Sequence, residues 1–441
     1  MEVNMKCISI LACILGICFV STAWAQQPAA KPPFGKHFFH RMANQTPRAQ
    51  RFTASRSSHA QANRDDSAKI WELGTYPGGT WFATWHINDL GVIVGLGDIS
   101  PIDGAAGYTH TLAVPLFGPR AGEWTDFEGA ELATGWEEPV ADISNTGLVV
   151  SHATTQDGHV HGVAWTKAAD PIDLGTLADT HDPRYASYNA SYAFVTNKLG
   201  TLIGGNSGVD EWPWSAPVVW TPSNVWINGK FVTKWKIQKL DTAAFRDLAG
   251  WNVYGVNDYG QILAIGFNND VSYIVGVLWN PRPDGKGWGK PMSLLPSPAY
   301  PSTAPYSINN KGEIVGTTLS PDQSMGLPLL WEPLNRNRTR YSKAIELPLP
   351  EGGFTNCENV GINELGDMVG DCWNDDYSLD LPARWTTKDL TFSEIINFPA
   401  DWGFAWGVNN NRIASVTYLT DPSGNCSWDM YGSCGGAIQL H

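Results

Sequence analysis

Short apolar stretches alternate with polar reversals along most of this chain, and one reversal recurs seven times. It reads Ile87-Asn88-Asp89-Leu90-Gly91, Ile143-Ser144-Asn145-Thr146-Gly147, Thr196-Asn197-Lys198-Leu199-Gly200, Val256-Asn257-Asp258-Tyr259-Gly260, Ile308-Asn309-Asn310-Lys311-Gly312, Ile362-Asn363-Glu364-Leu365-Gly366 and Val408-Asn409-Asn410-Asn411-Arg412. Asn and Asp bond their own backbone and tolerate positive φ, and Gly supplies the left-handed position of a tight hairpin. Apolar, often β-branched runs leave the reversal, as in Val92-Ile93-Val94 and Glu313-Ile314-Val315, so each copy predicts two strands joined by a turn. The copies are spaced by 46 to 60 residues, averaging about 53, the size of a four-stranded propeller blade with its loops.

The rest of each unit fits that size. A third strand ends in Trp at Trp165, Trp220, Trp279, Trp331 and Trp385, with Leu112-Ala113-Val114 and Ala437-Ile438 in the same slot of the first and last units. Fourth strands are expected near Ile70, Ile172, Ile237, Leu294, Ile345 and Ile395, and more weakly from Phe127 to Leu132. The chain is therefore expected to be all-β, a seven-bladed β-propeller of four-stranded antiparallel blades over residues 70–441. It opens on a fourth-strand segment and ends on a third-strand one, so both ends should meet in one blade and close the ring, leaving few free sheet edges. Thr242 to Ala249 offers at most a turn or two of helix.

The first 25 residues, with Lys6, an apolar run from Cys7 to Val20 and Ala23-Trp24-Ala25, predict a signal peptide cleaved after Ala25 and a secreted or periplasmic protein. Residues 26–69 carry a net charge of +6, are rich in Gln, Ala, Pro and Ser, and read as a disordered basic linker. The remainder is strongly acidic, which argues against nucleic acid as a partner because phosphate contact needs a positive face. Four cysteines remain after the signal. Cys357 and Cys372 lie symmetrically about the sixth turn and should bridge its two strands, which leaves Cys426 and Cys434 for each other. Neither pair has the spacing of a redox dithiol or a zinc site.

Leu73-Gly74-Thr75-Tyr76-Pro77-Gly78-Gly79, Ile87 to Gly95 and His161 to Trp165, with Leu174 to Leu177 repeating the opening phrase, resemble the HAF repeat of secreted bacterial proteins. The resemblance covers nearly all of residues 70–441 and implies an extracytoplasmic repeat protein with no defined reaction. Its naming histidine stands only at His161 and His110; Ala216, Val275, Leu327 and Leu381 take that slot elsewhere.

An aromatic residue precedes each turn strand at Trp81, Trp136, Tyr188, Trp251, Tyr300, Phe354 and Trp402. If the units are equivalent these fall on one face, where flat rings could stack on sugars and Asn189, Asp142, Asn252 and Asp401 could bond hydroxyls. The leading expectation is thus a binding or interaction module for a glycan or an envelope component. A carbohydrate-active hydrolase or lyase using loop acids such as Glu137, Glu138, Asp142, Asp210 and Glu211 is the second reading, and a purely structural surface protein the third. His159 and His161 could be a metal pair and Asn374 to Asp380 a calcium loop, but both lack the further ligands such sites need. No sequence motif calls for a cofactor or for an integral membrane segment.

Overall fold

The structure, a computed structural model, describes residues 69–100, 109–127, 141–155, 158–166, 171–209, 215–227, 230–269, 273–298, 300–320, 326–374, 380–398, 402–419 and 433–441. The signal peptide and linker lie outside them. Twenty-eight strands, β1 to β28, form seven four-stranded antiparallel sheets, so the chain is a seven-bladed β-propeller. The inner strands are β2 (Phe82–Ile87), β6 (Asp142–Ile143), β10 (Ala190–Thr196), β14 (Gly250–Val256), β18 (Ser302–Ile308), β22 (Asn356–Ile362) and β26 (Trp402–Val408). Each is followed by a repeated phrase, and the phrases therefore crowd one end of the central axis. We number the blades by these strands, one to seven.

Closure follows the expected route. β1 (Ile70–Gly74) pairs antiparallel with β28 (Cys434–Gln439), with Ile70 opposite Ile438, in the sheet that β26 begins. First and last strands thus share blade seven. In six turns the expected Gly has positive φ, from 66° at Gly200 to 85° at Gly312, while Arg412 holds φ 58° in the last. That residue is anchored by its guanidinium, whose Nε and Nη2 each lie 3.0 Å from a carboxylate oxygen of Asp367.

The third-strand tryptophans fill the spaces between blades. Trp165, Trp220, Trp279, Trp331 and Trp385 are all essentially inaccessible. Trp279, Trp331 and Trp385 donate their indole N–H to carbonyls of Asp241, Leu295 and Pro348, each just past the outer strand of the preceding blade. Burying such a side chain also removes some 150–250 Å² from water. The Cys357–Cys372 disulfide joins β22 to β23 (Asp367–Trp373) across the sixth turn, as expected. Cys434 is disulfide-bonded, and its expected partner Cys426 lies outside the described residues. Among the described residues there is no α-helix, only two 3₁₀ turns at Ala178–Thr180 and Pro183–Tyr185. Residues 242–249 form turns.

Candidate functional site

The repeated Asn does more than shape its own turn. Asn88 Oδ1 accepts from the N–H groups of Leu90 and Val92, the local bonding the sequence predicts, and its Nδ2 donates to the carbonyl of Ser144 in the next blade at 3.0 Å. Asn257 donates likewise to Asn309, Asn309 to Asn363, Asn363 to Asn409, and Asn409 back to Asn88, all at 2.9–3.0 Å. Asn197 instead donates to Asp258 Oδ1 at 2.9 Å. Ser144 has no amide, and there the backbone N–H of Asn145 donates to the Lys198 carbonyl at 2.9 Å. A hydrogen-bonded ring therefore passes through all seven blades. These buried donors and acceptors satisfy one another, which a closed fold requires.

The next position of each phrase supplies the rim. Asp89 accepts from Asn410 N–H and Nδ2 and from Asn145 Nδ2, and lies 3.4 Å from Lys198 Nζ. Lys198 also reaches Glu364 Oε1 at 3.4 Å, so one cation from blade three spans acids of blades one and six. Asp258 accepts from Asn197, Asn310 and the Leu199 N–H. Burial pulls the Asp89 carboxyl upward, but the Asn410 N–H, Lys198 and the Asn145 amide outweigh it and hold it below the usual aspartate range. A cavity of about 100 Å³ opens here, lined by residues of every blade. That is below the roughly 300–1,000 Å³ of small-molecule pockets.

Below the rim the axis narrows on aromatic side chains. Six of the inner strands carry a β-bulge, and the bulged residues are Trp85, Phe194, Tyr254, Tyr306, Val360 and Trp406. A bulge inserts one extra residue and re-aims a side chain. Trp85 and Trp406 meet with centroids 4.5 Å apart, Phe194 and Tyr254 at 6.3 Å, and Tyr254 and Tyr306 at 5.6 Å. Tyr254, Val360 and Trp406 line the cavity. The position three residues before the Asn slot is visible in the sequence; that it bulges toward the axis is not.

The predicted aromatic face is only partly an accessible surface. Trp81, Trp251 and Phe354 are buried, at 7 %, 3 % and 9 % exposure. Trp251 packs edge-on against Phe245 and Trp279, and Phe354 joins the core shared by blades five and six. These three are packing residues, and the expectation of sugar contact is corrected for them: each is taken up in a buried apolar cluster. Tyr188 and Tyr300 are half-buried. Tyr188 stands edge-on to Tyr185 with centroids 5.5 Å apart, beside Arg184. Trp136, Asp401 and the side chain of Trp402 lie outside the described residues.

The polar candidates also resolve into structural roles where they are described. Asp142 is buried and accepts from Ile143 N–H and Thr196 N–H at 2.7 Å, with His86 Nδ1 at 3.2 Å. Asn252 Oδ1 accepts from Asn206. Asn189 contacts His159 at 3.1 Å. His161 and its counterpart His110 each place Nδ1 3.0–3.1 Å from an aspartate of the neighbouring outer strand, Asp173 and Asp126. Among the described residues no three His, Cys, Asp or Glu side chains converge to hold a metal ion. Glu137, Glu138, Asp210 and Glu211 lie outside the described residues.

A second group of acids was not foreseen. Glu358 on β22, Asp371 on β23 and Asp380 on β24 (Asp380–Thr386) sit fully enclosed across three adjacent strands of blade six. Asp371 is the neighbour whose charge acts most strongly on both Glu358 and Asp380. Burial, then the mutual charge of the group, pushes Glu358 and Asp380 well above the usual range, while Asp371 is pushed up to about 7. Enclosure keeps any substrate from this set.

No known protein family matches the chain, and no curated protein does either. Several solved structures resemble the chain distantly. A lectin from Burkholderia pseudomallei is 10 % identical with a TM-score of 0.39, over 71 % of this chain and 83 % of that one. The Trypanosoma rangeli sialidase bound to the inhibitor DANA is 9 % identical with a TM-score of 0.38, over 68 % and 54 %. The Pyrococcus horikoshii acylaminoacyl peptidase is 10 % identical with a TM-score of 0.41, over 79 % and 51 %. This chain thus spans about half the length of the sialidase and of the peptidase. At these scores the likenesses carry no argument about binding or catalysis.

Proposed function

We propose that this chain is an exported protein of the HAF-repeat kind, and that its propeller is a binding module for a glycan or another envelope component. Contact is made on the side where the inner strands begin. The observation that carries this reading is the Tyr185–Tyr188 pair between blades two and three, half-buried and 5.5 Å apart, with Arg184 and Asn189 beside it. Flat aromatic surface next to hydrogen-bonding groups suits the apolar face and hydroxyls of a sugar ring. Tyr300 is half-buried before its own inner strand, and Trp136 and Trp402 hold the corresponding places in the sequence.

A glycan array, followed by calorimetry on the hits, tests the reading. Tyr185→Ala with Tyr188→Ala should weaken binding about tenfold or more, taking roughly 1 kcal/mol per stacking ring. Trp136→Ala with Trp402→Ala should do the same. Binding unaltered in both double variants refutes the assigned surface.

A further inference from the structure

The connection between β20 (Gly326–Trp331) and β21 (Ile345–Glu346), the third and fourth strands of blade five, carries Arg336, Arg338, Arg340 and Lys343 and no acid between Glu332 and Glu346. In a chain of net charge −14 the sign of charge is locally reversed. The segment is a built hairpin. Leu334 N–H donates to the Arg340 carbonyl at 2.8 Å, Pro333 bridges to Tyr341, and Asn335 Oδ1 accepts from the N–H groups of Thr339 and Arg340. Arg338, at φ 54°, is its foot: Nε and Nη2 donate to the carbonyls of Lys311 and Asn310 at 3.0 and 2.9 Å, and the guanidinium lies 3.8 Å from the centroid of the Tyr259 ring. The hairpin therefore rests on the fourth and fifth repeated turns.

Blade four sets a second basic loop beside it. Between β16 (Ile274–Trp279) and β17 (Met292–Ser293), Arg282 pairs with Asp284 at 3.0 Å, which leaves Lys286 and Lys290 without an acid in the loop. Gln261 Nε2 ties the two loops together, 2.9 Å from Asn280 Oδ1 and 3.2 Å from the Tyr341 hydroxyl. Lys286, Lys290, Lys311, Arg336, Arg340 and Lys343 are all exposed, and among the described residues none of them pairs with an acid. The equivalent connection of blade one is neutral, with Arg120 paired to Glu123.

We propose that this face of blades four and five is a docking surface for an acidic polysaccharide, its cations meeting carboxylates repeated along the polymer.

The acids of the two turns beneath already have donors: Asp258 accepts from Asn197 and Asn310, and Glu313 from Asn309. They are engaged in holding the turns, and the loop cations are left to face outward. Acids elsewhere on the body act weakly here, because charge is screened beyond about 8 Å at physiological salt. The cations are spread over two loops and one turn, and each exposed contact is weak alone. A polymer that engages several at once therefore suits them better than a single small anion. Nucleic acid also repeats its charge, but single strands need aromatic faces on which to stack, and the Tyr259 ring already carries Arg338. The choice of a sugar polymer rests further on the exported, glycan-binding reading above.

Calorimetry of the purified protein with polygalacturonate, with dextran as the neutral control, tests the proposal. Polygalacturonate should bind, with affinity falling about tenfold or more between roughly 50 and 200 mM salt, and dextran should not bind at this surface. Arg336→Gln, Arg340→Gln and Lys343→Gln together should weaken polygalacturonate binding about tenfold. Because these side chains are exposed and unpaired, the thermal midpoint of the triple variant should match wild type, which separates lost docking from lost fold. Arg336→Lys with Arg340→Lys keeps the charge and should keep most of the affinity. Equal binding by wild type and the triple variant would assign it to the basic segment 26–69 and overturn the proposal. So would absence of binding, or tighter binding to duplex DNA than to polygalacturonate. Glycan binding through Tyr185 and Tyr188 is read from its own double variant, so either reading can fail alone.

Discussion

Two sets of three carboxylates occupy this propeller, and they live under opposite rules. At the mouth, Asp89, Asp258 and Glu364 each accept N–H donors from neighbouring blades, and Lys198 lies 3.4 Å from two of them. Within blade six, Glu358, Asp371 and Asp380 have one another for partners, and Glu358 Oε1, Asp371 Oδ2 and both oxygens of Asp380 find no donor N–H or O–H. The facing titratable group from blade five is Tyr306, whose hydroxyl is likewise buried and pushed up by burial and by Glu358. Donors decide charge more than burial does: at the mouth they favour the charged form of Asp89, and within blade six their lack favours the protonated acids.

The largest expected effect comes from breaking the ring that feeds the mouth. Asn363→Ala removes a donation to Asn409 and the acceptor for Leu365 and Asp367 N–H. It should cost about 3 kcal/mol in denaturant unfolding, since buried partners are left unsatisfied. Asn363→Asp restores the acceptor alone and should recover part of that.

The interior set gives the next effect, and it depends on pH. Carboxyls with raised folded values bind more protons in the native state, so their contribution is complete below about pH 4 and is lost as pH rises toward 7, where Asp371 titrates. His152, buried and lowered to about 3, works the other way, adding stability as pH rises from 3 to its ordinary value near 6.5. The comparison is therefore wild type against Asp371→Asn. The variant should lack roughly 2–4 kcal/mol of the decline between pH 4 and 7. Parallel curves would contradict the assignment.

Smaller changes sharpen the contrast. Lys198→Met should cost about 1 kcal/mol, more at low salt, and should raise the Asp89 titration by removing one of the groups that lower it. Arg412→Gly exchanges a strained φ for the lost pair with Asp367 and should change stability by no more than about 1 kcal/mol, read from the unfolding midpoint.

Strand content, blade number, closure through Ile70 and Gln439 and the Cys357–Cys372 staple were all legible, because turn chemistry and strand alternation are local. The site was less so. The Asn residues read as turn formers, and their amide donations across blades depend on a neighbour some 50 residues away, as between Asn88 and Ser144. Phe354 stands as far before its repeated Asn as Tyr188 does yet is buried where Tyr188 is half exposed, since offset alone does not fix which side faces a gap. The axial aromatics, from Trp85 to Trp406, follow from bulges that leave no mark in composition. The triad of Glu358, Asp371 and Asp380 was hidden because each acid stands alone in its own strand and meets the others only through register.

Infrared absorption by protonated carboxyl groups, recorded from pH 5 to 8, tests the contrast most directly. A carbonyl band from buried carboxylic acid should persist in wild type at pH 6 and shrink in Glu358→Gln and Asp380→Asn, while Asp89→Asn leaves it unchanged. A spectrum with no such band at pH 6, or one diminished by Asp89→Asn instead, would contradict the account.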